Sequence, residues 1–326
     1  MRLHPMWENY PALQKDLQDV LITIEKNIQI RDKNVEKNIK NLIHAGGKLL
    51  RPAYALLSAQ IGPDYDHDRA ISVAAALEVL HMATLIHDDV VDESPIRRGE
   101  PTLHTLYGNN YAVYTGDYLF CVCFKILSKY ADSMNDIEFN SKNIEKILIG
   151  ELNQMRTRYQ TSVTVREYLT RISGKTAQLF ALSCYSGAKS SQASHALVAK
   201  SWNLGHYLGM AFQIIDDVLD YTSTYTSLGK PVLNDVKQGV YSLPLIYAMQ
   251  GHHAEFAPLL TKKAALGQQD LIRLTDLVTH YQGVEQSFAL ASKYTKKALK
   301  TIKQLPSGPH KDLLYEVTSQ ILTRSI

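Results

Sequence analysis

The stretch LIHDDVVDESPIRRGEPT, residues 85–102, places three aspartates within five positions directly after an apolar segment. Asp88 and Asp92 are four residues apart, so they share one face if the segment is helical. Carboxylates this close repel one another, and burying them costs free energy unless a cation neutralises them. The stretch therefore predicts a helix that ends in a cation-binding site.

A second copy of the same D-D-x-x-D pattern lies in FQIIDDVLDYT, residues 212–222, at Asp216, Asp217 and Asp220. A single copy is usually a solvated helix face, but two copies that both follow apolar residues are much less expected by chance. Oxygen donors with few histidines favour Mg²⁺ or Mn²⁺. Two such clusters would hold a diphosphate between them through metal ions.

Helical periodicity predicts the fold class. Apolar residues recur at spacings of three and four in five segments. These segments are 13–28, 76–89, 167–183, 197–221 and 287–305. Alternating strand patterns are scarce, glycine and proline mark the joins, and no low-complexity linker divides the chain. We therefore predict one all-α domain over residues 1–326, a bundle of about ten helices.

Composition narrows the function classes. The 326 residues carry a net charge of +3, and their lysines and arginines are scattered, which argues against a nucleic-acid partner. The N-terminus has no signal-peptide pattern, and the apolar stretch 71–86 is too short to span a bilayer. The three cysteines lack zinc-site spacing and predict buried free thiols. We expect a cytoplasmic protein.

Basic residues beside glycine and proline turns are candidates for holding phosphate, since arginine forks and lysine point charges both suit phosphate oxygens. The candidates are Lys48, Arg51, Arg97, Arg98, Lys175 and Lys230. Any one of them alone is more often a solvated surface cation. Their position in turns near the acidic helices is what indicates a role.

Two other motifs match different functional classes, but neither is complete. SGKT at 173–176 would need a glycine at position 169 to complete a phosphate-binding loop, and Leu169 stands there. Glu78 and His81 form the E-x-x-H pattern of di-iron bundles, which need a second copy that this chain lacks. A metal oxidase is therefore a weak alternative, and bound iron would be its test.

The motifs in their order resemble the trans-isoprenyl diphosphate synthases, or polyprenyl synthases. The resemblance spans residues 46–247 and rests on GGKLLRP, LIHDDVVDESPIRRGEPT, GDYLF, GKTAQLF, FQIIDDVLDYT and GKPVLNDVKQGVYSLPLIYA. LHMATLIHDD and YTGDYLF look most like the catalytic component of bacterial heptaprenyl diphosphate synthases. The resemblance implies an isoprenoid synthase helical bundle around a central apolar cavity. It also implies three Mg²⁺ ions that bind an allylic diphosphate.

The resemblance also implies residue roles. Asp88, Asp92 and Asp216 would ligate metal directly, and Asp89, Asp217 and Asp220 would assist as ligands or through water. The allylic diphosphate would be held by Arg97, Lys175, Gln213 and Lys230, and isopentenyl diphosphate by Lys48, Arg51, His81 and Arg98. Thr176 and Gln213 would offer oxygen dipoles to an allylic cation. For His81, a core histidine is the alternative.

Product length is predicted from the helix before the first motif. In the family, bulky residues four or five positions before the first aspartate stop growth. Those positions are Thr84 and Ala83 here, with Leu80 one turn deeper, and no Phe, Tyr or Trp lies between 71 and 87. We predict six or seven isoprene units. Geranylgeranyl diphosphate is the rival product if Tyr118, Phe120 or Phe124 closes the tunnel.

Two departures from the family pattern affect closure or affinity rather than the reaction. Val240 replaces a common lysine, and Leu233 replaces a common glycine. A terpene cyclase and a non-catalytic subunit are less favoured, because both aspartate motifs and the isopentenyl site are present. The resemblance further implies a homodimer, or a heterodimer with a small regulatory subunit. A long product would allow transient membrane contact.

Overall fold

The computed structural model is almost entirely helical and confirms the all-α prediction. The residues that it describes are 3–31, 33–44, 47–97, 99–129, 134–222 and 233–323. Within them, two strands of two residues each form one antiparallel hairpin, with Ile96 opposite Pro101 and Arg97 opposite Glu100. This hairpin, β1 (Ile96–Arg97) and β2 (Glu100–Pro101), follows the first aspartate motif.

Up to the second motif, the α-helices are α1 (Pro11–Asn27), α2 (Lys33–His44), α3 (Leu50–Ala59), α4 (His67–Val91), α5 (Leu103–Tyr107), α6 (Asn109–Ser128), α7 (Met134–Arg156), α8 (Val165–Ile172), α9 (Gln178–Ser190) and α10 (His195–Thr222). The later helices are α11 (Asn234–Lys237), α12 (Leu243–Met249), α13 (His253–Leu260), α14 (Gln268–His280), α15 (Gly283–Lys303) and α16 (Pro309–Leu322). Their number exceeds the predicted ten because several span only one or two turns, too short for periodicity to reveal.

The chain groups into two compact units. The first comprises Met1–Asn140 and Leu182–Trp202, and the second comprises Ser141–Ala181 and Asn203–Ile326. The single domain over residues 1–326 remains a prediction beside this division.

Helix α4 is the centre of the first unit and packs against α1, α3 and α6. Its small residues Ala74, Ala75 and Ala76 are fully buried, which allows neighbouring helices to approach closely. The helix begins at Asp66, whose carboxylate accepts a hydrogen bond from the Arg69 backbone N–H at 3.0 Å. It carries the first aspartate motif at its other end.

Helix α4 is also long and apolar enough to cross a membrane by length and composition alone. Of its most apolar window, 72% is buried inside the protein. A helix that is apolar on all sides and packed on all sides is a core helix.

The second unit is organised around α12, which packs against α15, α14 and α8. A Cβ on Gly283 would lie 2.1 Å from the Pro244 carbonyl oxygen, so α15 can approach α12 this closely only at a glycine. Tyr168, Arg171 and Ile172 of α8 are buried in this unit.

The predicted continuous helix over residues 167–183 is interrupted. Ser173–Ala177, with the sequence SGKTA, is a π-helical segment between α8 and α9. Such segments widen the helix by one residue per turn and often occur at functional sites. Periodicity could not reveal it, since one inserted residue only shifts the phase of the pattern.

The cysteines are free, but the prediction that all three are buried is wrong for one of them. Cys123 and Cys184 are buried, and Cys121 is exposed. Position 121 lies on α6 between the buried positions Leu119 and Val122, on the face turned away from the unit. Burial raises the pKa of the Cys123 and Cys184 thiols to about 12, so both are unreactive at neutral pH.

Candidate active site

The first aspartate motif closes helix α4. Asp88 and Asp92 are half-buried, and the Asp92 backbone N–H donates to the Asp88 carbonyl at 2.8 Å. Asp89 is different, because its side chain is only 7% exposed and accepts a hydrogen bond from Arg97 Nε at 2.5 Å. Burial raises the pKa of Asp89 while the Arg97 guanidinium opposes that rise. The middle aspartate thus serves as the anchor of an arginine.

The hairpin explains how Arg97 reaches back eight residues. Pairing of Arg97 with Glu100 reverses the chain, and Gly99 takes a φ of +83°, a conformation that favours glycine. The Thr102 hydroxyl donates to the Ser94 carbonyl at 2.8 Å and closes the base of the turn. Arg98, predicted to hold isopentenyl diphosphate, lies outside the described residues.

The second motif repeats this division of roles. Asp217 is 8% exposed; its Oδ1 accepts from Gln213 Nε2 at 2.8 Å and its Oδ2 accepts from the Tyr168 hydroxyl at 2.6 Å. Burial raises the pKa of Asp217 to about 7 although both hydrogen bonds lower it. Asp216 is exposed and Asp220 half-buried. In both motifs the middle aspartate is buried and held by protein donors.

The π-helical segment places Thr176 beside Gln213 and Lys175 beside Glu151. The Thr176 hydroxyl donates to Gln213 Oε1 at 2.7 Å, and Lys175 Nζ donates to Glu151 Oε2 at 2.8 Å. A Cβ on Gly209 would lie 2.5 Å from the Ala177 Cα, so glycine lets α10 lie directly against the segment. Of the predicted residues, Thr176 and Gln213 are thus in contact, and Lys175 is paired with Glu151.

Arg51 and His81, both predicted to hold isopentenyl diphosphate, also meet. Arg51 Nη1 lies 3.0 Å from His81 Nε2. Lys48 lies just before α3, where its carbonyl accepts a hydrogen bond from Trp7 Nε1 at 2.8 Å, and its side chain is exposed. A buried tryptophan therefore fixes the loop that carries Lys48.

The three chain-length candidates on α4 are not equivalent. Ala83 and Leu80 are 0% and 1% exposed, whereas Thr84 is half-buried and its hydroxyl donates to the His81 carbonyl at 2.8 Å. Leu80, Thr84 and Asp88 follow one another at spacings of four and so lie along one face of α4. Thr84 is therefore the position on the aspartate face where added bulk meets accessible space.

Sequence reasoning missed three residues of this site: Tyr168, Arg171 and Glu151. Tyr168 is fully buried and Arg171 is 7% exposed. The Arg171 guanidinium lies 5.4 Å from the centroid of the Tyr168 ring, and Arg171 Nη2 donates to the Tyr241 carbonyl at 2.6 Å. The one available signal was that Arg171 and Tyr168 lie about one and two turns before Lys175 in a helical pattern.

The departures from the family pattern have structural consequences. Leu233 has a φ of 59°, the left-handed conformation in which glycine is least strained, and its side chain is 3% exposed. Val240 is half-buried and its backbone N–H donates to the Asp235 carbonyl at 2.8 Å. Lys230 lies outside the described residues.

Asp16, Asp19 and His67 form a separate group in the first unit. One ligand atom from each lies within 4.8 Å of the others. His67 begins α4 and Asp88 lies 21 residues later, so about 31 Å of helix separates this group from the first motif. It is distinct from the predicted metal site.

Comparison with known proteins places this arrangement in a family. Residues 32–275 match the family model described as polyprenyl synthetase. The chain is 36% identical over 318 residues to heptaprenyl diphosphate synthase component 2 of Geobacillus stearothermophilus, covering 96% of this chain and 97% of that one.

Two solved structures are similar over nearly their whole length. A geranylgeranyl pyrophosphate synthase from Lactobacillus brevis has a TM-score of 0.93 and 38% identity, with 98% of this chain and 99% of that one covered. A heptaprenyl diphosphate synthase from Staphylococcus aureus has a TM-score of 0.90 and 34% identity, with 96% and 99% covered. The resemblance inferred from the motifs is confirmed: the chain belongs to the polyprenyl synthetase family and is a prenyltransferase that elongates trans-prenyl chains.

Proposed function

We propose that the protein condenses isopentenyl diphosphate head to tail with an allylic diphosphate, in a Mg²⁺-dependent reaction, to give an all-trans product of six or seven isoprene units. The observation that carries this proposal is the face of α4 on which Leu80, Thr84 and Asp88 follow one another. It places a carboxylate at one end and aliphatic or small side chains behind it. No Phe, Tyr or Trp lies between 71 and 87 to block a growing chain.

The metal would be held by Asp88, Asp92 and Asp216. Their oxygen donors suit Mg²⁺, with Mn²⁺ as a substitute, and Asp216 is exposed while the other two are half-buried. Asp220 would support the second cluster. We assign Asp89 and Asp217 a positioning role, since each is buried and accepts from protein donors. Three bound ions would stabilise the negative charge that develops on the leaving diphosphate.

The two substrates would be held by different groups. Arg97, Lys175 and Gln213 would hold the allylic diphosphate, a role also predicted for Lys230. Lys48, Arg51 and His81 would hold isopentenyl diphosphate, a role also predicted for Arg98. The 3.0 Å contact, in which Arg51 Nη1 donates to His81 Nε2, supports this grouping because it holds the two side chains together, and a guanidinium has several N–H donors that suit a multivalent anion.

The reaction breaks the allylic C–O bond, and the diphosphate leaves with the electron pair. The double bond of isopentenyl diphosphate attacks the resulting cation, and a proton passes to the departed diphosphate. The oxygens of Thr176 and Gln213 would lie toward the cation and lower its energy. Apolar walls keep out water, which would otherwise quench it.

Geranylgeranyl diphosphate is the rival product, and the Lactobacillus brevis structure bears that name. Two observations favour the longer product. The Tyr118 hydroxyl accepts from the Gln29 backbone N–H at 2.9 Å and donates to its carbonyl at 3.3 Å, so this side chain is directed toward residue 29. The relatives from Geobacillus stearothermophilus and Bacillus subtilis, at 36% and 34% identity, are named for heptaprenyl diphosphate.

The word "component" in those names supports a second subunit as partner of this chain, which the motif resemblance implies is small. We place the enzyme in the cytoplasm, in transient contact with membrane through its product. A homodimer is the alternative assembly. The deciding experiment incubates the purified chain with Mg²⁺, isopentenyl diphosphate and farnesyl diphosphate, with and without extract of the source cells, and separates the products by length.

Products of 30 or 35 carbons that disappear with EDTA support the proposal. A 20-carbon limit favours the geranylgeranyl alternative, and a cyclic hydrocarbon indicates a terpene cyclase. Absence of turnover in both arms would show a non-catalytic subunit. Turnover only with extract supports the two-subunit assembly.

A further inference from the structure

Four side chains of the second unit form one continuous line of hydrogen bonds. The Thr176 hydroxyl donates to Gln213 Oε1, Gln213 Nε2 donates to Asp217 Oδ1, and the Tyr168 hydroxyl donates to Asp217 Oδ2, at 2.7, 2.8 and 2.6 Å. We propose that Tyr168 is a positioning residue which, through Asp217, fixes the orientation of the Gln213 amide toward the allylic substrate. This inference rests on the proposed role of Gln213 in substrate binding.

These hydrogen bonds allow only one orientation of the Gln213 side-chain amide. Its oxygen faces Thr176 and its nitrogen faces Asp217. The Thr176 hydroxyl could accept as well as donate, but the reversed amide would place its oxygen against the Asp217 carboxylate, which only accepts. A carbonyl oxygen has two lone pairs, and Thr176 occupies one. The second can face a developing positive charge only while the amide keeps this orientation.

Asp217 can hold Gln213 only if its own carboxylate is prevented from rotating. The carboxylate is bound at both oxygens, by Gln213 on one side and by Tyr168 on the other. The Tyr168 hydroxyl lies 2.6 Å from Asp217 Oδ2, and in this contact the phenol supplies the proton because a carboxylate only accepts. Tyr168 is therefore a permanent donor.

Tyr168 is itself held in place. It is fully buried, and the Arg171 guanidinium lies over its ring at 5.4 Å while donating to the Tyr241 carbonyl at 2.6 Å. Since a tyrosine ring has only two side-chain torsions, a packed ring places its hydroxyl accurately. The support runs from Arg171 through Tyr168 and Asp217 to Gln213.

The test is Tyr168→Phe, which removes the hydroxyl and keeps the ring. The matched control is Tyr221→Phe, because Tyr221 is also buried in the second unit. Its hydroxyl accepts a hydrogen bond from Ser242 at 3.4 Å, which is not one of the four residues joined by these hydrogen bonds. In protein labelled with ¹⁵N-glutamine, the side-chain amide signal of Gln213, assigned by its loss in Gln213→Ala, should shift in Tyr168→Phe and stay in place in Tyr221→Phe.

The kinetic arm is a double-mutant cycle. Tyr168→Phe should lower kcat about 10- to 100-fold, with the KM for isopentenyl diphosphate within about twofold of wild type. In the Gln213→Ala background the same change should alter kcat by less than about twofold, because its effect passes through Gln213. Equal losses in both backgrounds would show that Tyr168 only supports the fold and would overturn the proposal.

Two further outcomes would also overturn the proposal. An unshifted Gln213 signal means that Tyr168 does not orient the amide, and a shifted signal with unchanged kcat means that the orientation does not serve the reaction. Failure of the proposed function is distinguishable, since the wild type itself would then lack turnover. If Tyr168→Phe does not fold, 3-fluorotyrosine at position 168 keeps the ring but makes the hydroxyl a stronger donor to Asp217, so the Gln213 signal and kcat should both change, and the absence of any change would overturn the inference.

Discussion

Arg97 donates its Nε–H to the carboxylate of Asp89 at 2.5 Å, across the turn that joins the first aspartate motif to the hairpin. Asp217 accepts from Gln213 and Tyr168 in the corresponding position of the second motif. The two motifs thus use their middle aspartate in the same way, to hold a neighbouring side chain. This similarity predicts different costs for replacing the middle and outer aspartates.

Replacing Asp88 with asparagine should lower kcat by about 10²- to 10³-fold, because it removes a charge proposed to bind metal next to the leaving diphosphate. Asp89→Asn keeps the side-chain shape and should lower kcat by about tenfold, through a weaker hold on Arg97. Steady-state kinetics at several Mg²⁺ concentrations measure both. Excess Mg²⁺ should partly restore Asp88→Asn and leave Asp89→Asn unchanged. Equal losses with equal Mg²⁺ rescue would contradict the assignment.

Thr84→Phe should shorten the product by one or more isoprene units, since Thr84 is half-buried on the Asp88 face of α4. Ala83→Phe should instead lower stability by about 1–3 kcal/mol, because Ala83 is fully buried and a ring there overpacks the core. Product chromatography and urea unfolding of both variants are the measurements. A stable Ala83→Phe enzyme with a shorter product would place the tunnel on the Ala83 side.

Leu233→Gly sets two effects against each other. Relief of the left-handed backbone should gain about 1–2 kcal/mol, whereas loss of the buried leucine side chain should cost about 2–5 kcal/mol. Burial therefore prevails, and the free energy of unfolding should fall. Urea unfolding of Leu233→Gly and Leu233→Ala separates the two contributions. The alanine variant loses most of the side chain but keeps the backbone strain. A glycine variant more stable than wild type would contradict this prediction.

His67 should give the first unit a pH-dependent stability. Its hydrogen bond to Asp16, at 3.0 Å, raises the pKa of His67 above the ordinary value. The folded state then binds the proton more tightly than the unfolded state, so the contribution is complete below the ordinary pKa and is lost as pH rises through the raised one. The side chain is 45% exposed, so solvent screening limits the effect to about 0.5 kcal/mol.

The measurement is urea unfolding of wild type and His67→Asn between about pH 5 and pH 9. The stability difference should shrink toward the alkaline end. A difference that grows with pH would show that His67 is neutral when paired with Asp16.

The sequence predicted the helices that are long and strongly periodic, and it missed those of one or two turns. Helix α4 was predicted because its apolar residues continue for many turns before Asp88. Helix α11 spans only Asn234–Lys237, too few residues for a pattern to repeat. The continuous helix expected over 167–183 contains a π-helical segment instead, and α10 lies against the end of that segment, at Ala177, through Gly209.

The sequence by itself determined the chemistry of this protein: which carboxylates cluster, which basic residues accompany them, and that helices carry both. These follow from residue type and spacing, which are local properties of the chain. Tertiary structure alone decided which aspartate of each motif is buried, which end of the Gln213 amide faces Thr176, and that Tyr168 supports it. Burial and hydrogen-bond partners depend on elements far apart in sequence, such as α8 and α10, and no local pattern encodes their contact.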